Sequence, residues 1–110
     1  MSREALGHFE LMVVLAVLRV GEEAYGVPIA HELEENTGRN VLLGSVYAAL
    51  ERLEAKGLIA STLGAPTAER GGRAKKYFRV TAKGFREVRE TRRTLVKLWK
   101  GLPALHGGTV

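Results

Sequence analysis

Between Gly44 and Ile59 the chain runs Gly-Ser-Val-Tyr-Ala-Ala-Leu-Glu-Arg-Leu-Glu-Ala-Lys-Gly-Leu-Ile, a pattern that admits few structures. Val46, Ala49, Leu50 and Leu53 recur at helical spacing, which makes one side of a short helix apolar and predicts its burial. Ser45, Tyr47, Ala48, Glu51, Arg52 and Ala55 then fall on the open side. Gly57 stands where a left-handed C-terminal cap belongs, and Leu58-Ile59 opens an apolar extended run, so the helix stops abruptly and a strand follows. A helix of about three turns with small outward residues fits a major groove about 12 Å wide. The stretch reads as a candidate DNA-recognition helix, although the same amphipathic pattern by itself also describes a plain core helix.

The remaining elements decide between these two. His8 to Val20 is apolar on nearly every side through Phe9, Leu11, Met12, Val13, Val14, Leu15, Ala16, Val17 and Leu18, so this first helix needs cover all round. A chain of 110 residues can hardly provide that cover alone, which places the helix between its own domain and a partner's. Gly21 ends it, and a second helix is expected from Val27 to Asn36, with Pro28 in its first turn and Gly38 just past its end. Ile29, Ala30 and Leu33 form its inner stripe. After the third helix, Ala60 to Leu63 continues a strand, and Gly64 to Arg73 is a loop, because a proline and three glycines sustain neither regular structure. Lys75 to Val80 resumes extended alternation, with Phe78 and Val80 on one face and Tyr77 and Arg79 on the other. Thr81 can cap a last helix that runs to about Lys100, before Gly101 and Pro103. On it Val88, Thr91, Leu95, Leu98 and Leu102 are spaced three, four, three and four, the pattern of a helix that pairs with another helix.

The predicted fold class is mainly α with a minor β component: a winged helix-turn-helix, residues 1–80, followed by a C-terminal dimerisation helix and tail, residues 81–110, in one structural domain overall. Charge agrees with a polyanion partner. Residues 1–63 hold five Lys/Arg against nine Glu, giving −4; residues 64–110 hold twelve against three, giving +9; the sum is the chain's +5. Every acid is Glu, which suits helices and provides little for a hard cation. The absence of cysteine removes disulfides and thiolate metal sites. The Leu11–Leu18 run is too short to span a bilayer, no small-residue cleavage site follows it, and a cytoplasmic protein without membrane contact is expected. His8, His31 and His106 are scattered and isolated from other ligands, and neither a catalytic triad nor a phosphate-binding glycine loop is present, so neither an enzyme nor a cofactor is expected.

Three ordered motifs carry a family resemblance. Tyr25-Gly26 opens the second helix; Gly-Ser-Val-Tyr-x-x-Leu-x-Arg-Leu-Glu-x-x-Gly-Leu-Ile occupies Gly44 to Ile59; Gly-Gly-Arg-Ala-Lys-Lys-Tyr-Phe-Arg-Val-Thr-x-x-Gly occupies Gly71 to Gly84. Over residues 8–100 the chain resembles PadR-type regulators, in the short form with a single C-terminal helix. The resemblance implies a dimeric, usually repressing, bacterial DNA-binding protein, whose dimer in some members holds an effector. Two positions depart from the family pattern. Leu42 stands where a capping Ser or Asn is common, leaving a first-turn N–H without that partner, and Ala48 replaces a frequent proline.

The candidate residues follow from these readings. Arg70, Arg73, Lys75 and Lys76 beside Gly71-Gly72 form a wing that lies along phosphates and reaches a minor groove. Gly44, Ser45 and Ala48 are at the groove-entering end of the third helix, where backbone N–H groups and a hydroxyl can meet a phosphate. Tyr47 either joins them or packs on the second helix. Arg52 reads guanine O6 and N7 or pairs with a nearby Glu. Leu11, Leu15, Val88, Leu95, Leu98, Trp99 and Leu102 are assigned to dimerisation. Trp99 either packs there or, as in some PadR-like proteins, flanks a pocket for a small hydrophobic or planar aromatic effector. Double-stranded DNA and a second copy of the chain are the expected partners. A winged helix that binds protein or RNA is the alternative, and it would share the same core.

Overall fold

The computed structural model describes residues 6–64 and 75–102. The elements run α1 (His8–Val20), a 3-10 turn (Gly21–Glu23), α2 (Gly26–Thr37), α3 (Leu43–Ala55), β1 (Ile59–Leu63), β2 (Lys76–Val80) and α4 (Ala82–Trp99). α1 has the predicted bounds, α2 is one residue longer at each end than expected, and α4 stops one residue short, with Lys100 as its C-cap.

Local chemistry sets these limits. Gly7 caps α1 and donates its N–H to the Glu10 carboxylate at 3.0 Å. Gly38, at φ 71°, closes α2 with its N–H on the Glu34 carbonyl. α3 ends as its sequence requires: Gly57 has φ 78°, its N–H donates to the Glu54 carbonyl, and the Leu58 N–H reaches back to the Leu53 carbonyl, each at 3.0 Å. That pair of bonds is the Schellman arrangement, and it turns the chain directly into β1. Thr81 caps α4 by accepting from the Gly84 N–H at 3.0 Å.

α1, α2 and α3 pack around one core built from Val13, Val14, Val17, Ile29, Leu33, Val46, Leu50 and Leu53, joined by Leu58 and Ile59 of the hairpin arm and by Phe78. β1 and β2 form a two-stranded antiparallel sheet in the register Ile59↔Val80, Ser61↔Phe78 and Leu63↔Lys76. The alternation read in β2 is present: Phe78 is buried and Arg79 exposed. The Phe78 N–H also donates to the Ala24 carbonyl at 2.8 Å, pinning the hairpin to the turn between α1 and α2. No periodicity in the sequence announces that bond.

α1 is covered on one side only. Val13, Val14, Ala16 and Val17 are buried, while Leu15 and Leu18 are exposed and Leu11 and Met12 half-buried. On α4 the only buried residue is Gly84. From Phe85 through Leu95, Val96, Leu98 and Trp99 to Leu102, large apolar side chains face solvent in the single chain.

Candidate nucleic-acid interface

The residues opposite the buried stripe of α3 form an open ridge. Val46, Ala49, Leu50 and Leu53 are fully buried, and at 3.6 residues per turn Gly44, Ala48, Glu51 and Ala55 fall on the far side, all exposed. This ridge is narrow because two of its members are alanine and one is glycine. Ser45 and Arg52 flank it on the side of α1, and Tyr47 flanks it on the side of α2.

The N-terminal end of α3 is bare. Leu42 is the N-cap, no side chain bonds the first-turn N–H groups, and Leu42 itself is 75% exposed. The Ser45 N–H turns back onto the Leu42 carbonyl at 3.0 Å, and the departure noted at this position leaves the Leu43 and Gly44 N–H groups to water or a bound anion.

Tyr47 packs on the start of α2. A Cβ added at Gly26 would come within 2.8 Å of Tyr47 Cε2 and closer still to Cζ and the hydroxyl oxygen, so the ring end fills the space that a side chain on residue 26 would take. The Tyr25-Gly26 pair thus makes room for Tyr47, which remains partly exposed beside the start of α2.

Arg52 also makes a pairing, through Nε alone. Its Nε donates to Glu10 Oε2 at 2.9 Å, and Lys56 Nζ donates to Glu10 Oε1 at 2.8 Å. Glu10 is only 6% exposed and is the one polar or charged residue buried among the described residues. Burial by itself pushes its carboxyl up; the Lys56 ammonium, the Gly7 N–H and the Arg52 guanidinium outweigh that and hold the pKa down from 4.5 to about 2. The sequence reading gave Glu10 no role. The signal was a single acid inside an otherwise apolar run, which cannot be buried without partners.

The two described wing lysines are tethered to the body. Lys75 Nζ lies 4.3 Å above the Tyr25 ring, and Tyr25 meets Tyr77 edge-on at 5.7 Å. Lys76 Nζ is 3.9 Å from Glu54 Oε1 and 5.8 Å from the Phe78 ring centre. Both contacts belong to the wing base, where the Gly64 N–H donates to the Lys75 carbonyl at 2.7 Å. Arg70 and Arg73, with Gly71-Gly72, lie outside the described residues. On the far side of the hairpin, Arg79 is exposed.

The residues assigned to dimerisation are brought into two stripes. Leu11, Leu15 and Leu18 follow one another along the open side of α1. On α4, Val88 is half-buried against the core, and Leu95, Leu98, Trp99 and Leu102 continue its line into solvent. Phe85, three residues before Val88, extends the stripe and was missed by the heptad reading, while the exposed Val96 sits at its edge beside Arg89, Arg92 and Arg93. The opposite face carries Lys83, Arg86, Arg89, Arg93 and Lys97, with Arg93 paired to Glu90. Among the described residues no group of three or more His, Cys, Asp or Glu could hold a metal ion, and no helix is long and apolar enough to cross a membrane.

Three helices, a two-stranded wing and a long C-terminal helix make a winged-helix arrangement. A sequence model of the Transcriptional regulator PadR-like family matches residues 14–90. The chain belongs to the PadR-like family. Solved structures agree: the PadR-like transcriptional regulator of Bacillus cereus strain ATCC 14579 is 26% identical over 92% of this chain and 93% of its own, with a TM-score of 0.70. A PadR family transcriptional regulator from Eggerthella lenta DSM 2243 is 28% identical over 89% and 83%, with a TM-score of 0.69. One from Clostridium difficile R20291 is 28% identical over 83% and 92%, with a TM-score of 0.61. No curated protein matches the chain. This PadR-like chain is a DNA-binding transcriptional regulator with a winged-helix fold, and not an enzyme.

Proposed function

We propose that the chain is a bacterial cytoplasmic repressor that binds an inverted-repeat operator as a homodimer. Residues 1–80 form the DNA-binding region and residues 81–110 the dimerisation arm and tail. The observation that carries this reading is the pair of largely uncovered apolar stripes, Leu11-Leu15-Leu18 on α1 and Phe85-Val88-Leu95-Leu98-Trp99-Leu102 on α4, of which the chain itself half-covers only Leu11 and Val88. In a two-fold pair the α1 stripe, about 10 Å long, covers part of the partner's α4 stripe, about 25 Å long, and the rest of α4 packs on its own mate.

A two-fold dimer sets its α3 ridges one turn of B-DNA apart, about 34 Å, so that Gly44, Ser45 and Ala48 enter successive major grooves. The wing residues Arg70, Arg73, Lys75 and Lys76 lie along phosphates, Lys75 and Lys76 leaving Tyr25 and Glu54 to do so. Trp99 and its mate stack a small planar aromatic effector near the two-fold axis. The ligand shifts the balance between DNA-competent and incompetent arm separations only as far as its affinities for the two differ.

Light scattering, followed by duplex selection from a random library, tests the reading. A dimer at micromolar concentration that enriches a palindromic sequence supports it, with Leu95→Glu giving monomers that lose the enrichment. A folded wild-type monomer, or enrichment of RNA over duplex DNA, removes it. Quenching of Trp99 fluorescence by planar aromatic compounds reports on the effector.

A further inference from the structure

Within Leu43–Ala55 the only cationic side chain is Arg52, so any reading of a guanine edge by a cationic donor on α3 has to pass through that guanidinium. Arginine on a helix surface is ordinarily a flexible side chain whose ordering on binding reduces affinity. Here it is not free to wander. Its Nε is held on Glu10 Oε2 at 2.9 Å, and Glu10 is held in turn by the Gly7 N–H at 3.0 Å on Oε1 and by Lys56 Nζ at 2.8 Å on the same oxygen. Glu10 projects from the first turn of α1, is almost fully buried, and cannot swing with the arginine.

We infer that Glu10 is a positioning residue for base readout: it fixes the Arg52 guanidinium beside the α3 ridge with its two terminal amino groups turned outward. The bond uses Nε only. Both terminal NH₂ groups make no bond among the described residues, and the side chain as a whole is 54% exposed. Those groups supply the paired donors that guanine O6 and N7 accept, whereas adenine offers a donor where O6 would be. The anionic partner behind the guanidinium also keeps its charge compensated when no DNA is present, so Arg52 is presented without being drawn onto Glu51 of the ridge. This assignment rests on α3 being the recognition helix.

The test is a thermodynamic cycle on DNA, read by fluorescence anisotropy. The best duplex selected by the wild-type protein is compared with versions in which each guanine in turn becomes adenine. Arg52→Ala is expected to abolish about 5- to 150-fold discrimination at one guanine. Glu10→Gln, whose amide has a single acceptor for the Arg52, Lys56 and Gly7 donors, is expected to lose about 2- to 10-fold at that same guanine. Its affinity for random duplex and its salt slope should stay as in the wild type, because no phosphate contact is removed. In the Arg52→Ala background Glu10→Gln should have no further effect on base choice. Circular dichroism at the assay temperature confirms that each variant is folded, and Lys56→Ala, which removes one anchor of Glu10 while leaving its Arg52 bond, should show a smaller loss at the same position.

A uniform loss on all duplexes in Glu10→Gln, or a loss that persists without Arg52, overturns the inference and leaves Glu10 a purely structural residue. If Arg52→Ala leaves an enriched guanine unchanged, the inference falls while the operator reading stands. A wild-type protein that enriches no duplex overturns both.

Discussion

Two helical glycines with opposite surroundings allow the packing of the arm to be tested by the same substitution. Gly84 lies in the first turn of α4, buried beneath the hairpin, and a Cβ there would meet the Leu58 carbonyl oxygen first, then Val80 Cγ1 at 2.8 Å and the Leu58 carbonyl carbon at 3.1 Å. Carbon atoms in contact sit about 3.5–4.0 Å apart, so α4 or β1 has to move by about 1 Å. The obstacle is backbone, and it is already committed: the Leu58 carbonyl accepts from the Thr81 N–H at 3.0 Å, the bond that seats the start of the arm. Overpacking of this kind costs about 1–3 kcal/mol, and the upper end applies where no side chain can swing aside. Alanine returns up to about 1 kcal/mol of helix propensity. The net expectation for Gly84→Ala is a loss of about 2 kcal/mol, or about 8–16 °C in Tm for a domain of this size.

Gly44, in the first turn of α3, has nothing within 4 Å of an added Cβ, and its φ is negative. Gly44→Ala should therefore stabilise, by up to about 1 kcal/mol. Urea and thermal unfolding, both at one fixed protein concentration because association contributes to apparent stability, provide the measurement. Shifts of the same sign for the two variants, or a Gly84→Ala midpoint within about 0.5 kcal/mol of the wild type, would refute the close approach of α4 to the Leu58 carbonyl.

Glu10 predicts a pH dependence. Its folded-state pKa, about 2, lies below the ordinary 4.5, so the stabilisation is complete above that ordinary value and drains away as pH falls toward 2, amounting to about 3 kcal/mol. In urea titrations Glu10→Gln should be the less stable protein at pH 7 and should converge on the wild type near pH 2; a gap that does not narrow on acidification contradicts the pairing. Leu42→Ser supplies the missing cap of α3 and should raise the urea midpoint by about 1 kcal/mol, since Leu42 is exposed and little packing is lost. Gly26→Ala should destabilise by about 1–3 kcal/mol while Tyr47 is present and by much less in a Tyr47→Ala background, and additive effects in that cycle would show that the two do not touch.

What the sequence by itself determined is the set of properties that depend on residues within four positions of one another. The inward face of α3, the glycine that stops it, the Thr81 cap of α4 and the alternation in β2 are all local, because helical and strand periods and cap bonds are properties of adjacent turns. The unusual run Leu11–Leu18 told, likewise, that the chain's own core would leave apolar surface over, and Leu15 and Leu18 are exposed as a result. The candidate site was legible only as a list. Whether Tyr47 packed on α2, whether Arg52 met a glutamate and which one, and what the wing lysines rested on depended on how α1, α2 and the hairpin cross α3. Glu10 and Arg52 are 42 residues apart, and Lys56 a further four, so no periodicity relates them. Only the crossing of α1 over the end of α3 brings one buried carboxylate between two cations, and burial, by removing water as the competing partner, makes that meeting obligatory for the fold.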